Sequence, residues 1–194
     1  MNAGMIVGML GIVATWGILF LSFCGIGLTF EKTLGLKALD GETILSAFWF
    51  GWCLVLMGLQ IWHSFFPVDW RPLLFVFALG PVGLYLGRNQ VTDILKRANF
   101  SLPWIFILCL VIGWQANRSL APLRTYDAGL YHLSAIRWIS SYPIIPGLAN
   151  LHDRLGFNSS YFLFQSMLDV GLWTHRSYHL ASGLLLLAVL LEIS

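Results

Sequence analysis

Apolar residues dominate five long stretches of the chain, and no Asp, Glu, Lys or Arg interrupts any of them. A bilayer core excludes ionised side chains, and a spanning helix needs about 20 mostly apolar residues, with about 17 as the practical minimum. The stretches cover residues 1–30, 43–68, 72–87, 98–117 and 177–191. The pattern therefore predicts a protein built from membrane-spanning helices.

Four of these stretches predict complete spanning helices, and the fifth predicts the beginning of another. The third stretch is short, but Trp70, Arg71 and Arg88 flank it, and such side chains can anchor at a membrane interface. We place the helices near 5–28, 44–65, 72–87 and 102–117, and the start of a fifth spanning helix at 178–194. Because the chain stops inside this fifth helix, we expect the sequence to be a truncated piece of a longer protein.

The composition agrees with this fold class. Of the 194 residues, 58% are hydrophobic and only 10% are charged. An average soluble domain has about 25% charged residues, so an ordinary soluble domain is excluded, and so is a disordered chain. The net charge of +2 is too small to indicate a nucleic-acid partner, which leaves the lipid bilayer as the expected partner. We expect an all-α, polytopic transmembrane helical bundle.

The basic residues in the short connections predict the orientation of the helices. The second connection carries only Arg71, whereas the first and third together carry Lys32, Lys37, Arg88, Lys96 and Arg97. Short loops rich in Lys and Arg stay on the cytoplasmic side. We therefore expect a multi-pass protein of the inner (plasma) membrane, with its N-terminus and residues 118–177 outside the cytoplasm.

Residues 118–177 form the one long connection, and they carry most of the polar pattern of the chain. A long polar insertion between membrane helices is commonly where function resides. We expect an extracytoplasmic loop with two amphipathic helices, near 128–141 and 158–173, lying along the membrane surface. In the first of them, apolar residues recur every three positions, at Leu130, Leu133, Ile136 and Ile139.

Asp127 is the main candidate for a functional group in this loop. It precedes the first predicted surface helix and lies next to Tyr126. One interpretation is structural, because a carboxylate at a helix N-terminus accepts hydrogen bonds from the free N–H groups and caps the helix. The other is chemical, with Asp127 as a general base or metal ligand at the mouth of a membrane cavity. Position and residue type alone favour the cap.

Basic residues of the same loop complete the candidate site. His132 could pair with Asp127 in acid–base or metal chemistry. Arginines can bind phosphate through their forked guanidinium groups, and the candidates are Arg124, Arg137 and Arg154. His175 and His179 are four residues apart and would share a helix face if that segment is helical, but no carboxylate or Cys nearby in the sequence completes a metal set. No metal is assigned to any residue, and a divalent cation is left open as a cofactor.

The order of these features resembles the GT-C superfamily of membrane glycosyltransferases, in which a spanning helix is followed by an outside loop with an acidic residue near its start. More closely, the segments YDAGLYH at 126–132, AIRW at 135–138 and PGLANLHDRLGFNSS at 146–160 resemble a family of bacterial polytopic membrane proteins with a GT-C-like layout. This closer resemblance covers about residues 117–192. It implies that Asp127 matches the acidic position, which serves as catalytic base or metal ligand.

The same resemblance implies that His132, Arg137 and Arg154 are motif positions without an assigned role. The closer family carries no activity of its own, and it is the resemblance to the GT-C superfamily that implies one: the transfer of a sugar from a polyprenyl-phosphate-linked donor in cell-envelope glycan assembly. The layout departs from the superfamily because three extra helices precede its opening helix and most of the later core helices are missing. We therefore expect an incomplete GT-C-like core that is inactive as this chain alone. The alternative function is a non-catalytic membrane subunit or a transport component for envelope polymers.

Overall fold

The computed structural model describes residues 3–35, 44–97, 101–122, 125–157 and 159–193. These residues form helices and no strand, which confirms the all-α expectation. In chain order the helices are α1 (Ala3–Thr33), α2 (Ile44–His63), α3 (Trp70–Leu86), α4 (Arg88–Arg97), α5 (Leu102–Ser119), α6 (Leu133–Ser141), α7 (Ser160–Leu168) and α8 (Ser177–Ile193). The shorter elements are a π-helix at Ala128–His132 and 3₁₀ turns at Leu148–Asn150, Asp153–Gly156 and Gly171–Trp173.

Two of these helices, α1 and α2, are long and apolar enough to cross a membrane. α1 has 31 residues and α2 has 20, and their most apolar 18-residue windows have mean hydropathies of 2.2 and 1.8. α3 and α8 are also apolar but shorter. Among the described residues, the first two predicted spanning helices are therefore the ones with the expected length and composition.

Glycines bring helix backbones into direct contact in the first of two compact units, which lies within residues 1–54, 76–121 and 182–194. A side chain at Gly25 of α1 would collide with the backbone of α3 at Gly80. A side chain at Gly27 would collide with the backbone of α2 at Ala47. Small residues at helix interfaces allow this close approach in lipid. Within the first unit, α1 therefore packs closely against α3 on one side and against α2 on another.

The connection after the third predicted spanning helix is itself a helix, α4. Most of its ten residues, Arg88–Arg97, are polar or charged, so no apolar run in the sequence indicates this helix. The first residue of α4 is Arg88, and its guanidinium carbon lies 4.7 Å from the ring centre of Tyr85. This arginine, which counted toward the predicted orientation, thus begins an ordered helix.

The second compact unit lies within residues 55–75 and 122–181, and α7 is its buried centre. Every residue from Phe162 to Leu168 is buried. Inside this core, the Ser166 hydroxyl donates a hydrogen bond to the Val68 carbonyl at 2.7 Å. The Val68 N–H in turn donates to the Ile139 carbonyl at 2.9 Å. These bonds join α7, the connection after α2, and α6.

The second predicted surface helix, 158–173, is shorter than expected and is not amphipathic. α7 ends at Leu168, and the chain continues through the turn Gly171–Trp173. Gly171 has a φ of +58°, a left-handed conformation that a right-handed helix cannot continue through. The polar Gln165 is buried in this helix, and its Nε2 donates a hydrogen bond to the Tyr178 carbonyl at 3.5 Å. By contrast, helical backbone covers the whole of the other predicted segment, 128–141, as the π-helix followed by α6.

Candidate functional site

Asp127 and Arg154 form an ion pair in the second unit. Arg154 Nη1 donates a hydrogen bond to Asp127 Oδ1 at 2.6 Å, although 27 residues separate them in the sequence. The Asp127 side chain is 51% exposed and that of Arg154 is 38% exposed. The carboxylate is therefore held in place while it stays accessible to a solute.

The capping interpretation of Asp127 is wrong. Its backbone is already helical, with φ −63° and ψ −29°, and its side chain makes no capping hydrogen bond. Asp69, just before α3, does cap its helix. Its Oδ1 accepts hydrogen bonds from the backbone N–H and the Nε of Arg71, each at 3.0 Å. Partial burial works to raise the pKa of the Asp69 carboxyl, but these hydrogen bonds outweigh it and hold that pKa below its usual value. Asp127 instead pairs with a side chain from a distant segment.

A π-helix, Ala128–His132, follows Asp127 directly. The Leu133 N–H donates to the Ala128 carbonyl, which is the five-residue spacing of a π-helix. Short π-helical turns next to α-helices are rare, and they occur frequently at functional sites. The turn places Tyr131 beside His132, with their ring centres 4.3 Å apart.

An aromatic cluster of Tyr131, His132, Phe157 and Phe162 contacts the guanidinium of the ion pair through the Tyr131 ring. Arg154 Cζ lies 5.3 Å from the centre of the Tyr131 ring, within the range of a cation–π contact. Tyr131 meets Phe157 and Phe162 edge-on, with ring centres 6.0 and 6.4 Å away. The His132 ring lies 5.2 Å from that of Phe162. The guanidinium is thus held between a carboxylate and an aromatic face.

The backbone of Arg154 is fixed by its neighbours in the turn Asp153–Gly156. Its N–H donates to His152 Nδ1 at 3.2 Å and to Asp153 Oδ1 at 2.8 Å. His152 is the N-cap residue of this turn. Side chains from the residues just before Arg154 therefore orient the turn that carries the guanidinium.

The other candidates do not gather around Asp127. His132 belongs to the aromatic cluster, and no hydrogen bond joins it to Asp127 among the described residues. Arg137 is exposed on α6, and its side chain has no ion pair within the part of the chain that the structure describes. Arg124 lies outside the described residues. Arg154 is therefore the predicted arginine that the structure brings to the carboxylate.

The residues around Asp127 do not fit a divalent cation. A protein metal site needs several ligands that converge on one point. Within the described ranges, no group of three or more His, Cys, Asp and Glu side chains is close enough to hold a metal ion. The partner of Asp127 is a guanidinium, whose positive charge opposes a cation at the same oxygen. We therefore assign no metal-dependent step to this site.

A cavity of about 250 Å³ adjoins the aromatic cluster. Phe157 and Phe162 belong to both, and the polar side chains in the cavity lining are His63 and Ser159. His63 Nε2 lies 3.2 Å from the Tyr142 carbonyl oxygen. No sequence pattern indicates this cavity, because its wall combines the end of α2, the segment around α6 and the turn before α7.

A second polar cluster lies where α7 ends. Gln165 Oε1, Asp169 Oδ1 and Ser177 Oγ are buried and have no hydrogen-bond partner among the described residues. His175 Nδ1 lies 3.8 Å from Asp169 Oδ2. His175 has a φ of +66° and precedes α8, whereas His179 lies within α8. The expected shared helix face for these two histidines is therefore wrong.

Comparison with known proteins gives one family match. The family model described as "Domain of unknown function (DUF8201)" matches residues 9–194. No curated protein and no solved structure matches the chain. The matched range includes the ion pair, the aromatic cluster and the cavity, so all of them lie in the part of the chain that defines the family.

Proposed function

This chain belongs to the DUF8201 family, and we propose that it is an integral membrane glycosyltransferase that uses a polyprenyl-phosphate-linked sugar for cell-envelope glycan assembly. The Asp127–Arg154 ion pair carries the proposal. It sets a solvent-accessible carboxylate next to a guanidinium, and Leu155, the residue after Arg154, lines a mostly apolar cavity. Transfer from a lipid-linked phosphosugar calls for these three features: a base for the acceptor hydroxyl, a cationic group for the phosphate and an apolar pocket for the lipid chain.

In the proposed reaction, Asp127 accepts the proton of the acceptor hydroxyl while the hydroxyl oxygen attacks the anomeric carbon of the donor sugar. The bond between that carbon and the phosphate oxygen breaks. The polyprenyl phosphate leaves with the electron pair, and Arg154 stabilises the negative charge on the leaving phosphate. Each group thus acts on a different side of the reacting carbon.

The ion pair can open when a donor binds, because both partners are partly exposed. An exposed ion pair contributes only about 0.2–1 kcal/mol. A donor phosphate can therefore replace the carboxylate as the partner of Arg154, and Asp127 is then free to accept a proton. We keep His132 and Arg137 as substrate-binding candidates, together with Arg124, which lies outside the described residues.

We also propose that the protein crosses the plasma membrane several times, with its N-terminus and residues 118–177 outside the cytoplasm. Exposed apolar side chains support spans in addition to α1 and α2, such as Phe106 and Leu110 on α5 and Leu79 and Val82 on α3. Large exposed apolar patches are rare on soluble monomers and indicate contact with lipid or a partner. The orientation rests on the distribution of Lys and Arg between the connections.

A non-catalytic subunit or transport component for envelope polymers is the second candidate function. One observation favours it, since Asp127 Oδ1 already has a cationic partner, as a purely structural carboxylate would. The two candidates differ in what they require of Asp127. Catalysis needs its basicity and position, whereas a structural role needs only its charge opposite Arg154.

A transfer assay on membranes that contain the complete protein tests the proposed function. Such membranes are incubated with radiolabelled polyprenyl-phosphate sugars, and the label is followed into lipid, polysaccharide and protein fractions. We expect transfer that depends on the protein and is absent from matched membranes without it. Well-expressed protein that transfers no label from any donor would favour the non-catalytic candidate.

A further inference from the structure

We propose that the cavity next to the Asp127–Arg154 pair binds the end of a single hydrocarbon chain. The ligand is an amphiphile with an acyl or isoprenoid chain, whose head group stays outside the cavity. The inference rests on the proposed function only in placing an anionic head near Arg154. The binding of the chain itself follows from the wall, size and mouth of the cavity.

The wall of the cavity suits a hydrocarbon chain better than it suits water. A buried water normally makes about three hydrogen bonds. The polar side chains in the lining are His63 and Ser159. His63 Nε2 is within hydrogen-bonding distance of the Tyr142 carbonyl, and His63 Nδ1 is buried without a partner among the described residues, so the side chains of the wall offer fewer than the three bonds that a water needs. The rest of the wall is mostly aliphatic and aromatic, including Trp138, Ile139, Ile144, Ile145, Leu148 and Leu155. An apolar occupant therefore gains contacts that water cannot replace.

The size of the cavity limits the ligand to one chain end. Its volume is about 250 Å³. Apolar cavities of about 150 Å³ already bind benzene, while pockets for drug-sized ligands measure about 300–1,000 Å³. One water takes up about 30 Å³ in the liquid, and we take a similar volume for one methylene group. On that basis the cavity holds roughly eight carbons of a chain. A sugar of similar volume would leave most of its hydroxyls without partners on this wall.

Exposed apolar side chains extend the binding surface beyond the cavity. Ile144, Ile145 and Phe157 line the cavity and remain 47%, 36% and 58% exposed. A chain that leaves the cavity would cover this exposed apolar surface. Phe157 also contacts Tyr131, whose ring lies against the guanidinium of Arg154. The head group of a bound amphiphile can therefore reach that guanidinium.

Photolabelling of the purified full-length protein in lipid nanodiscs tests this inference. Two probes carry a diazirine near the end of their chain: decanoic acid represents an acyl chain, and geranyl phosphate represents an isoprenoid chain. Labelled peptides are then identified by mass spectrometry. We expect adducts concentrated in the two cavity-lining segments, 135–149 and 155–162.

Two tryptophan variants supply the decisive comparison. Ala149 lines the cavity and is exposed, so Ala149→Trp can block the cavity without forcing a large side chain into the core. Leu151→Trp is the matched control, because Leu151 is exposed and does not line the cavity. We expect Ala149→Trp to lower cavity labelling about tenfold, the effect of excluding about two methylene groups from an apolar site. Leu151→Trp should leave the labelling unchanged.

Comparing the two probes also shows whether the cavity prefers an acyl chain or an isoprenoid chain. Cavity labelling by decanoic acid, by geranyl phosphate or by both supports the inference when it is sensitive to Ala149→Trp. Equal labelling of the cavity in the two tryptophan variants overturns it, and so do adducts confined to other helices. Asp127→Asn separates this inference from the proposed function, because labelling does not require transfer. Full transfer by Asp127→Asn with normal labelling would overturn the catalytic role of Asp127 and leave this inference intact. No transfer by the complete, well-expressed protein with normal labelling would overturn the proposed function alone.

Discussion

Arg154 reaches back 27 residues to donate a 2.6 Å hydrogen bond to the Asp127 carboxylate. The bond connects the beginning of the π-helix with the turn Asp153–Gly156, two segments that no sequence periodicity relates. It places the acidic candidate and one of three arginine candidates at a single point. Substitutions can distinguish a role of this pair in sugar transfer from a role in the stability of the fold.

Exchanging the two charged residues distinguishes a structural pair from a catalytic one. Because both side chains are partly exposed, we expect a coupling energy of only about 0.2–1 kcal/mol between them. The double variant Asp127→Arg, Arg154→Asp should recover this small energy in a double-mutant cycle of thermal unfolding in detergent. It should not recover transfer, since the base and the anion-binding group have changed places. Transfer at the normal rate in the exchanged protein would show that the pair is structural alone.

Removing the Ser166 hydroxyl should destabilise the core of the second unit. In Ser166→Ala the buried Val68 carbonyl loses the hydrogen bond that it accepts at 2.7 Å, which costs about 1–3 kcal/mol. Ser140→Ala is the control, because the Ser140 hydroxyl donates to the Arg137 carbonyl of its own helix in an exposed position. Chemical denaturation in detergent should show a change below about 0.5 kcal/mol for the control. Similar losses in the two variants would contradict the described role of Ser166.

Adding one methyl group at Gly25 should disturb the first unit, whereas the same change at Gly17 should not. A Cβ at Gly25 collides with the backbone at Gly80, while a Cβ at Gly17 meets no atom within 4 Å. We expect Gly25→Ala to cost about 1–3 kcal/mol through overpacking. Gly17→Ala should be neutral or stabilising, because Ala favours a helix by up to about 1 kcal/mol relative to Gly. Thermal unfolding of the two variants is the measurement, and equal midpoints would refute the close contact.

The orientation can be tested with single cysteines in a variant that lacks Cys24, Cys53 and Cys109. We expect a cysteine at Ser134, in the long connection, to react with a membrane-impermeant maleimide in intact cells. A cysteine at Asn89, on α4, should react only after the membrane is permeabilised. The physical reason is the concentration of Lys and Arg in the connection that contains α4. The reverse labelling pattern would invert the proposed topology.

The helices of this fold can be predicted from sequence largely because long apolar runs leave few alternatives. The predicted helix at 44–65 and the observed α2, Ile44–His63, nearly coincide for this reason. The burial of α7 could not be predicted, because Gln165 and Ser166 look like a solvent-facing polar side of a helix. Inside the core, the Gln165 Nε2 and the Ser166 hydroxyl each donate a hydrogen bond to a backbone carbonyl of another segment. The burial of α7 therefore depends on tertiary hydrogen bonds, which the local sequence pattern does not reveal.

The candidate site was predictable in its residues but not in its geometry. Asp127 is a candidate because of its position before a helix, yet that position and the residue type favour a cap. The choice depends on Arg154, which lies in a 3₁₀ turn without a periodic signal. The cavity was also invisible in the sequence, because its wall combines segments that meet only in the folded chain.

Asp127→Asn in the transfer assay tests the central claim most directly. Asn has nearly the same size and can still accept a hydrogen bond from Arg154, so expression and membrane insertion should be unchanged. Asp93→Asn on the exposed surface of α4 is the control and should keep full activity. Loss of a general base typically costs about 10²–10⁴ in rate, and we predict a loss of at least about 10²-fold for Asp127→Asn in the complete protein. Normal transfer by this variant at normal expression would contradict the claim that Asp127 is the catalytic base.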